Sequence, residues 1–403
     1  MRKWGCLVLG VMLCLQSCNE QPKSEEPLTH QMDNPAGMGS ALPFLFSDGK
    51  SALLSWVEPA DDSLMALKYS RLEGQTWSAP QVVVAGGDWF VNWADFPAIS
   101  ENQGHLLSHI LKKSSEGTYS YDVKLNLKKT DEGQWTTDLP LHTDNTPTEH
   151  GFVSSLPYEN GFFITWLDGR NTIENEVGKR GAMAVRAAKI DVDGTLIDEQ
   201  ELDARTCDCC QTTAAITHNG PVVIYRDRSE DEIRDISIVR QVKGQWSAPK
   251  SIHEDGWQIK GCPVNGPKAA ALGNRLAVAW FTAANDRPAV NLIFSEDGGA
   301  TFDAPIQISA INAIGRVDVL MLDEENAFVS WMEADENGAV LNAAKVNRNG
   351  TKGKIHAIAP LDASRKTGFP QMEMVGDKIY FAWTHITEEK SKVRTAYVLK
   401  QYF

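Results

Sequence analysis

Short, mostly apolar segments recur along the chain at nearly constant spacing. Each is three or four residues long and closes on an aromatic residue or a histidine. The seven closing positions are Trp56, His109, Trp166, Tyr225, Trp280, Trp331 and Trp383. They stand 51 to 59 residues apart, so one structural unit is repeated seven times. A repeat of about 50 residues built from short strands is typical of the blades of a β-propeller.

Neighbouring segments complete this unit. An apolar segment such as Phe96–Ile99 precedes the repeated strand, and an alternating one such as Leu67–Ser70 follows it, which gives strands A, B and C. Several units add a Trp-containing turn and a fourth strand, D. The seventh unit ends at Phe403 after strand C, and residues near Thr29–Pro35 can supply its missing strand. The pattern predicts an all-β propeller of seven four-stranded blades over residues 41–403, with six blades as the alternative.

One turn between strands C and D carries a specific motif. The fifth unit reads Ser295-Glu-Asp297-Gly-Gly-Ala-Thr-Phe302. Here the Asp side chain can accept bonds from backbone amides while the glycines take positive φ. The motif resembles the Asp-box (BNR repeat) of the sialidase superfamily, and the resemblance implies a sialidase-like propeller. Because this motif locks a turn, the resemblance implies a fold rather than an activity.

The first residues have a different pattern. Two basic residues precede the apolar stretch Trp4–Leu15, which is too short to span a bilayer as a helix and is typical of a signal peptide. It ends in Leu15-Gln-Ser-Cys18, which resembles the lipobox of bacterial lipoproteins and implies lipidation of Cys18. We therefore predict a signal peptide over 1–17, a flexible tether over 18–40, and a lipid anchor in the outer membrane of the cell envelope, on its periplasmic or surface face.

The overall charge limits the partners. The net charge is −14 with a pI near 5.2, and no run of Lys and Arg occurs. Such a chain repels phosphate backbones, which argues against nucleic acid as a partner. We expect a monomer that binds a glycan or another acidic small ligand.

Propeller geometry confines the candidate chemistry to one face. The loops that lead into strands A and those that join B to C meet there, around the central channel. These loops carry unusual residues, whereas the A–B hairpins carry ordinary turn residues. The expected ligand-binding residues are Trp89, Asn92, Trp93, Asp168, Arg170, Gln211, Arg226, Arg228, Arg234 and Asn265. The two tryptophans can stack on a sugar ring or cap the blade core.

The fourth unit has the highest density of charge. Its B–C loop holds Arg226, Asp227, Arg228, Arg234 and Asp235. The three guanidiniums suit bidentate capture of a carboxylated or sulfated ligand, with Asp227 or Asp235 as a catalytic acid/base. The same groups can instead pair with one another and brace the loop.

The sialidase resemblance implies a Tyr nucleophile activated by a Glu, an Asp acid/base and an arginine cluster. Only Tyr119 and Tyr121, of eight tyrosines, fall in a loop of the expected binding face. The Arg-Ile-Pro element of sialidases is replaced by Ala41-Leu-Pro43, and sialidases have six blades. We therefore expect a propeller that binds or hydrolyses an acidic glycan, without assigning it the sialidase reaction.

Four cysteines follow the predicted signal and lipidation site: Cys207, Cys209, Cys210 and Cys262. The first interpretation is a disulfide that joins Cys262 to one of the other three across blades four and five. The second is a Zn or Cu ion bound by the thiolates, with His150 or His253 as a further ligand. The third is a redox-active vicinal pair. The last two suggest a metal-binding or redox accessory protein, and a scaffold for another envelope protein is a further alternative.

Overall fold

The computed structural model describes Met1 and residues 28–130, 133–174, 178–388 and 390–403. The predicted lipidation site at Cys18 lies outside the described residues, as does the predicted signal peptide apart from Met1. Within the described ranges, no helix is long and apolar enough to cross a membrane.

Seven antiparallel sheets of four or five strands follow one another along the chain, which confirms the seven-bladed propeller. Blade 1 contains Ala41–Ser47, Ala52–Pro59, Met65–Glu73, Thr76–Trp77 and Gln81–Gly86. Blade 2 contains Ile99–Asn102, His105–Lys113, Tyr121–Lys128 and Trp135–Pro140. Blade 3 contains His150–Tyr158, Gly161–Asp168, Ala184–Ile190 and Leu196–Asp203.

The remaining blades repeat this order. Blade 4 contains Thr213–Thr217, Gly220–Arg226, Ile236–Val242, Gln245–Trp246 and Lys250–His253. Blade 5 contains Lys268–Leu272, Arg275–Thr282, Ala289–Ser295 and Ile306–Ser309. Blade 6 contains Ala313–Met321, Asn326–Asp335, Gly338–Asn347 and His356–Leu361. Blade 7 contains Gln371–Val375, Lys378–Thr387, Lys390–Leu399 and the N-terminal strand His30–Met32. Among the described residues, the 3-10 helices are Ala284–Asp286, Arg365–Thr367 and Lys400–Tyr402.

The N-terminal strand closes the ring, as the incomplete seventh repeat predicted. His30 pairs with Tyr397 and Met32 pairs with Thr395 in an antiparallel register. The His30 and Tyr397 rings also stack, with centroids 4.8 Å apart. The Asn34 side chain donates to the Thr395 hydroxyl at 3.2 Å, so side-chain bonds reinforce a strand of only three residues.

The repeated strand B forms the centre of each blade, which explains its pattern. Trp56, Trp166, Trp280 and Trp331 are wholly buried between sheets. Each such ring removes roughly 150–250 Å² from water, which makes the aromatic position the main packing contact of its blade. His109 takes this place in blade 2, where burial lowers the pKa of its imidazole to about 3.

The turn after Ser295 has the predicted hydrogen bonds. The Asp297 carboxylate accepts bonds from the Thr301 amide at 2.9 Å and the Thr301 hydroxyl at 2.7 Å. Gly298 and Gly299 have φ of 66° and 84°, a region that glycine enters without strain.

Strands A lie innermost, around the propeller axis. Residues of this strand from six blades, together with Phe96, Gln211 and Thr212 from the loops, line a central cavity of about 420 Å³. Loops that lead into strands A come together at one end of this channel, and the candidate site lies among them.

Candidate functional site

A second cavity of about 390 Å³, the mouth cavity, is formed by the loops of five blades. Its lining includes Trp93, Tyr121, Glu149, Cys209, Cys262 and Arg365. These residues belong to loops that precede strands A of blades 2, 3, 4, 5 and 7 and to the start of strand C in blade 2. Distant segments of the chain therefore meet at one mouth, as the propeller geometry predicted.

The floor of the mouth cavity carries a phenol held between two carboxyl groups. The Tyr121 hydroxyl lies 3.0 Å from Asp95 Oδ2 and 2.7 Å from Glu149 Oε1. The other Asp95 oxygen accepts a bond from the Phe152 amide at 2.7 Å. Phe90 stacks on the Tyr121 ring with a centroid distance of 4.2 Å, which fixes the phenol in this position.

The three groups differ in exposure and proton affinity. Tyr121 and Asp95 are buried, whereas Glu149 is half-buried and borders the cavity. Burial raises the pKa of Glu149 to about 8 and that of Asp95 to about 7. Burial therefore favours the protonated form of both carboxyl groups, and the Tyr121 hydroxyl lies within hydrogen-bonding distance of each of them.

A glycine permits this close approach. A Cβ atom at Gly151 would collide with the Asp95 carboxylate and lie 3.0 Å from the Tyr121 ring. The next residue, Phe152, adopts a φ of 53°, which is strained for a residue with a side chain. This strained backbone presents the Phe152 amide to Asp95.

A tryptophan and an arginine form another wall of the mouth cavity. Trp93 stacks on Phe369 with a centroid distance of 5.9 Å and remains half-buried. The exposed Arg365 lies over the Trp93 ring at 5.7 Å, and the buried Arg316 lies over it at 5.1 Å. Burial lowers the pKa of Arg316 to about 10. Asn92, also in the lining, accepts a bond from the Ala94 amide at 2.8 Å.

Trp89 does not share this cavity. It packs against the core between blades 1 and 2, and its backbone pairs with Lys112. The aromatic pair expected on the binding face is thus divided, with Trp93 at the mouth and Trp89 in the packing.

Asp168 and Arg170 belong to a separate cluster in blade 3. Asp168 is wholly buried and accepts two bonds from Arg170, each 2.7 Å long. Beside them the rings of His142 and His150 stack 3.7 Å apart, and Asp144 lies 2.7 Å from His142 Nδ1. Burial and the charge of His150 lower the pKa of His142. Asp168 and Arg170 therefore brace this cluster and do not border the mouth cavity.

The arginines of blade 4 form hydrogen bonds and ion pairs with other groups of the protein. Arg226 is buried and donates to the carbonyls of Arg234, Asn265 and Phe281 at 2.6 to 3.0 Å. Arg228 binds Asp208 at 2.8 Å and Glu232 at 2.8 Å. Arg234 is buried and binds Glu232 at 2.7 Å and the Cys207 sulfur at 3.0 Å. The geometry is that of the bracing network, not of an open anion site.

Asp227 and Asp235 line a different pocket, of about 300 Å³. Asp227 accepts a bond from Ser237 at 3.1 Å, and burial raises its pKa. Asp235 accepts the amides of Gly256 and Trp257 at 3.0 and 3.1 Å. The two carboxyl groups expected to act as acid/base are therefore separated from Trp93 and from the mouth cavity.

Gln211 and Asn265 connect loops to one another. Gln211 donates to the Ala94 carbonyl and accepts the Gly266 amide at 3.0 Å, which joins blades 2, 4 and 5. Asn265 accepts the Arg316 amide at 2.8 Å and donates to the Ile314 carbonyl at 3.2 Å. Both are buried, so their amide groups hold the mouth together.

The cysteines do converge. The sulfurs of Cys207, Cys209 and Cys210 lie within 4.8 Å of one another, and Cys262 borders the mouth cavity together with Cys209. All four are free thiols, so the expected disulfide between blades four and five is not formed in this structure. His150 lies in the blade 3 cluster and His253 interacts with Asp255, so neither belongs to the three-sulfur group.

Sequence reasoning placed Tyr121 on the binding face but gave it no role, and it missed Asp95, Glu149 and Arg365. Asp95 and Glu149 follow no spacing rule, because they stand on loops that enter different blades and come together only through the packing of blade 2 against blade 3. One available signal was Gly151, two residues after Glu149, since a glycine at a strand start often marks a close approach of other groups.

Comparisons with known proteins support the fold. No family model and no curated protein matches the chain. An ulvan lyase of a new polysaccharide lyase family, bound to a repeat of glucuronic acid and 3-sulfated rhamnose, has a TM-score of 0.60 at 12% identity, covering 92% of this chain and 96% of its own. An α-L-arabinanase of Penicillium chrysogenum has a TM-score of 0.49 at 10% identity, and the match covers 93% of this chain and 99% of the arabinanase chain. A point mutant of the NanB sialidase of Streptococcus pneumoniae has a TM-score of 0.47 at 12% identity, and the match covers 92% of this chain and 71% of the sialidase chain. At 12% identity the likeness to the ulvan lyase shows the propeller fold alone.

Proposed function

We propose that the protein binds an acidic glycan in the mouth cavity and hydrolyses it, with Glu149 as the proton donor. The observation that carries the proposal is the chain of hydrogen bonds from Glu149 through Tyr121 to Asp95 at the floor of that cavity. A half-buried carboxyl backed by a buried phenol is suited to give up a proton and to have the resulting charge stabilised.

The chemistry follows from the order of the groups. Glu149 transfers its proton to the leaving glycosidic oxygen, and the Tyr121 hydroxyl then donates to the new Glu149 carboxylate. Hydrolysis also needs a second carboxylate to activate water or to bond to the sugar. Asp208 borders the same cavity and is held by Arg228 at 2.8 Å, so we assign it this role.

An acidic glycan is favoured by the cation that lines the mouth cavity, Arg365. The exposed Arg365 guanidinium lies over the Trp93 ring, which pairs a charge for a carboxylate or sulfate with a face for a sugar ring. The ligand of the ulvan lyase, which has the same fold, is a glycan of this kind.

The test uses purified protein and a panel of polysaccharides that carry carboxylate or sulfate groups, with neutral polysaccharides as controls. New reducing ends measure hydrolysis, and ultraviolet absorbance detects unsaturated products. We expect Glu149→Gln to lower the rate by about 10²–10⁴-fold while glycan affinity changes little. A matched control is Glu159→Gln, because Glu159 lies in an A–B hairpin at the other end of blade 3 and pairs with Lys189.

The outcomes separate the alternatives. Unsaturated products would contradict hydrolysis and indicate elimination. Binding without any cleavage of the acidic glycans would leave a glycan-binding module and would contradict an enzyme. Equal losses in Glu149→Gln and Glu159→Gln would contradict the assignment of the site.

The location at the cell envelope is also part of the proposal. It rests on the N-terminal pattern that ends at Cys18. Labelling with a radioactive fatty acid in a bacterial host should mark the wild-type protein and should not mark Cys18→Ser. Label in both proteins would contradict the anchor.

A further inference from the structure

The loops that lead into blades 4 and 5 carry four thiols, of which Cys209 and Cys262 border the mouth cavity while Cys207 and Cys210 are buried beside it. Cys207 Sγ lies 3.6 Å from Cys210 Sγ and 3.9 Å from Cys209 Sγ. Cys262, from the next loop, borders the mouth cavity together with Cys209. Since none of the proposed steps of glycan cleavage uses these sulfurs, they need a separate explanation.

The spacing of the sulfurs is that of a tetrahedral metal centre. A Zn–S bond of about 2.3 Å in a tetrahedron places neighbouring sulfurs about 3.8 Å apart. The two Cys207 distances fall on either side of this value. A disulfide requires about 2.05 Å, so the same sulfurs are too far apart for that bond.

The surroundings supply what a thiolate centre needs. The buried Arg234 donates to Cys207 Sγ at 3.0 Å, and the Asn265 amide donates to Cys210 Sγ at 3.4 Å. Such N–H donors stabilise thiolate charge and orient the ligands around a metal. A buried guanidinium aimed at a sulfur offsets the negative charge that a group of thiolates would retain after binding a divalent ion.

We propose that Cys207, Cys209, Cys210 and Cys262 bind one Zn²⁺ ion in a closed, structural site. The ion ties the loop that enters blade 4 to the loop that enters blade 5. Asp208 stands between two of the ligands, so the same ion holds the wall of the mouth cavity that carries Asp208 and Arg228.

Zinc is favoured over a redox pair and over copper. With four thiolate ligands no position remains for substrate or water, which is typical of structural zinc. A redox pair requires two sulfurs that approach bonding distance, whereas three sulfurs here are mutually spaced.

The experiment measures metal in the full chain, purified without added chelator. We expect about one zinc per chain by elemental analysis, and about none in Cys207→Ser. Cys262→Ser should bind zinc more weakly, since one ligand is lost. The matched control is His142→Gln, which alters the other cluster of potential ligands and should retain the ion.

Two further measurements do not depend on the variants folding. Cobalt exchanged into the wild-type protein should show the charge-transfer absorption of thiolate ligands and the visible bands of a tetrahedral centre. Titration in denaturant with a chelator should find the four cysteines of the propeller as free thiols.

Several results would overturn the proposal. These are cysteines that do not react as thiols, copper in place of zinc, zinc that is lost from His142→Gln but kept in Cys207→Ser, or wild-type zinc affinity in Cys262→Ser. The last result would mean a three-thiolate site with an open position, which is not the closed site proposed.

Discussion

Two charged regions lie on the same face of the propeller and differ in how far their groups are satisfied. The blade 4 loop holds three arginines, and each is bound by carbonyls, carboxylates or a sulfur of the protein. The mouth cavity holds one phenol between two carboxyl groups, with Glu149 open to the cavity. The first region stabilises the loops, and the second is placed to meet a ligand.

The comparison teaches that charge density does not identify a binding site. A guanidinium has a fixed number of donors, and a buried one must use them within the protein. A residue that faces a cavity with an unusual proton affinity is a better indicator, because burial and neighbours have altered its chemistry at a place that a ligand can reach.

The substitution Arg226→Ala gives the strongest test of the structural role assigned to the blade 4 arginines. Loss of the buried guanidinium leaves the carbonyls of Asn265, Phe281 and Arg234 without a partner, so we expect the free energy of unfolding to fall by about 3–5 kcal/mol. Arg228→Ala, whose ion pairs are partly exposed, should lose no more than about 1 kcal/mol. Denaturant unfolding measures both. If Arg226→Ala had normal stability but lost glycan binding, Arg226 would be a ligand-binding residue and not a structural one.

A pH series tests the raised pKa of Asp95 beside the mouth cavity. The pKa of Asp95 is about 7 in the fold and near 3.8 in the unfolded chain, so folding retains a proton between these values. This contribution to stability is present below about pH 4 and is lost as the pH rises to about 7. The free energy of unfolding of the wild type should therefore fall relative to Asp95→Asn over this range, by a few kcal/mol at most. Parallel curves for the two proteins would contradict the raised pKa.

Gly151→Ala tests whether the close approach is required. The added methyl group overlaps the Asp95 carboxylate, so we expect a loss of about 1–3 kcal/mol in stability together with a loss of glycan cleavage. Gly261→Ala serves as control, because a Cβ there meets only Ile259, at 4.0 Å. Unchanged cleavage in Gly151→Ala would show that the Asp95–Tyr121 contact is not needed.

The smallest expected effect separates the two tryptophans. Trp93→Ala should weaken glycan binding by about 1 kcal/mol, roughly fivefold, because the stacking face beside Arg365 is lost. Trp89→Ala should affect stability and leave the affinity unchanged, since Trp89 packs against the blade 1 and 2 core. Calorimetric titration with the preferred glycan measures both. Equal affinities for the two variants would contradict the placement of the ligand.

The architecture was predictable because it depends on local patterns. The aromatic position at the end of each strand B is repeated and buried, and the missing strand of blade 7 left a gap that Thr29–Pro35 could fill. Turn chemistry such as that of Asp297 is also local, so its hydrogen bonds could be inferred. The sequence likewise indicated that the loops entering strands A would meet at one end of the channel, and they do.

The composition of the site was less predictable, because it depends on which side chains turn towards the cavity. Arg226 and Asp235 lie in the expected loops, but their partners are backbone groups that no residue pattern reveals. Asp95, Tyr121 and Glu149 come from three segments whose contact depends on the twist between blades 2 and 3. Three of the cysteine sulfurs lie close together, and their spacing could not be inferred from their order in the sequence.

The joint at blade 7 determines how the molecule responds to tension. Its outer strand, His30–Met32, comes from one chain end, while the three inner strands come from the other. A force applied to the N-terminus therefore acts on the three backbone pairs between His30–Met32 and the neighbouring strand, and these pairs can separate one after another. Since His30–Met32 pairs with a strand that follows blade 6 in the sequence, the ring also stays open until all seven blades have been synthesised.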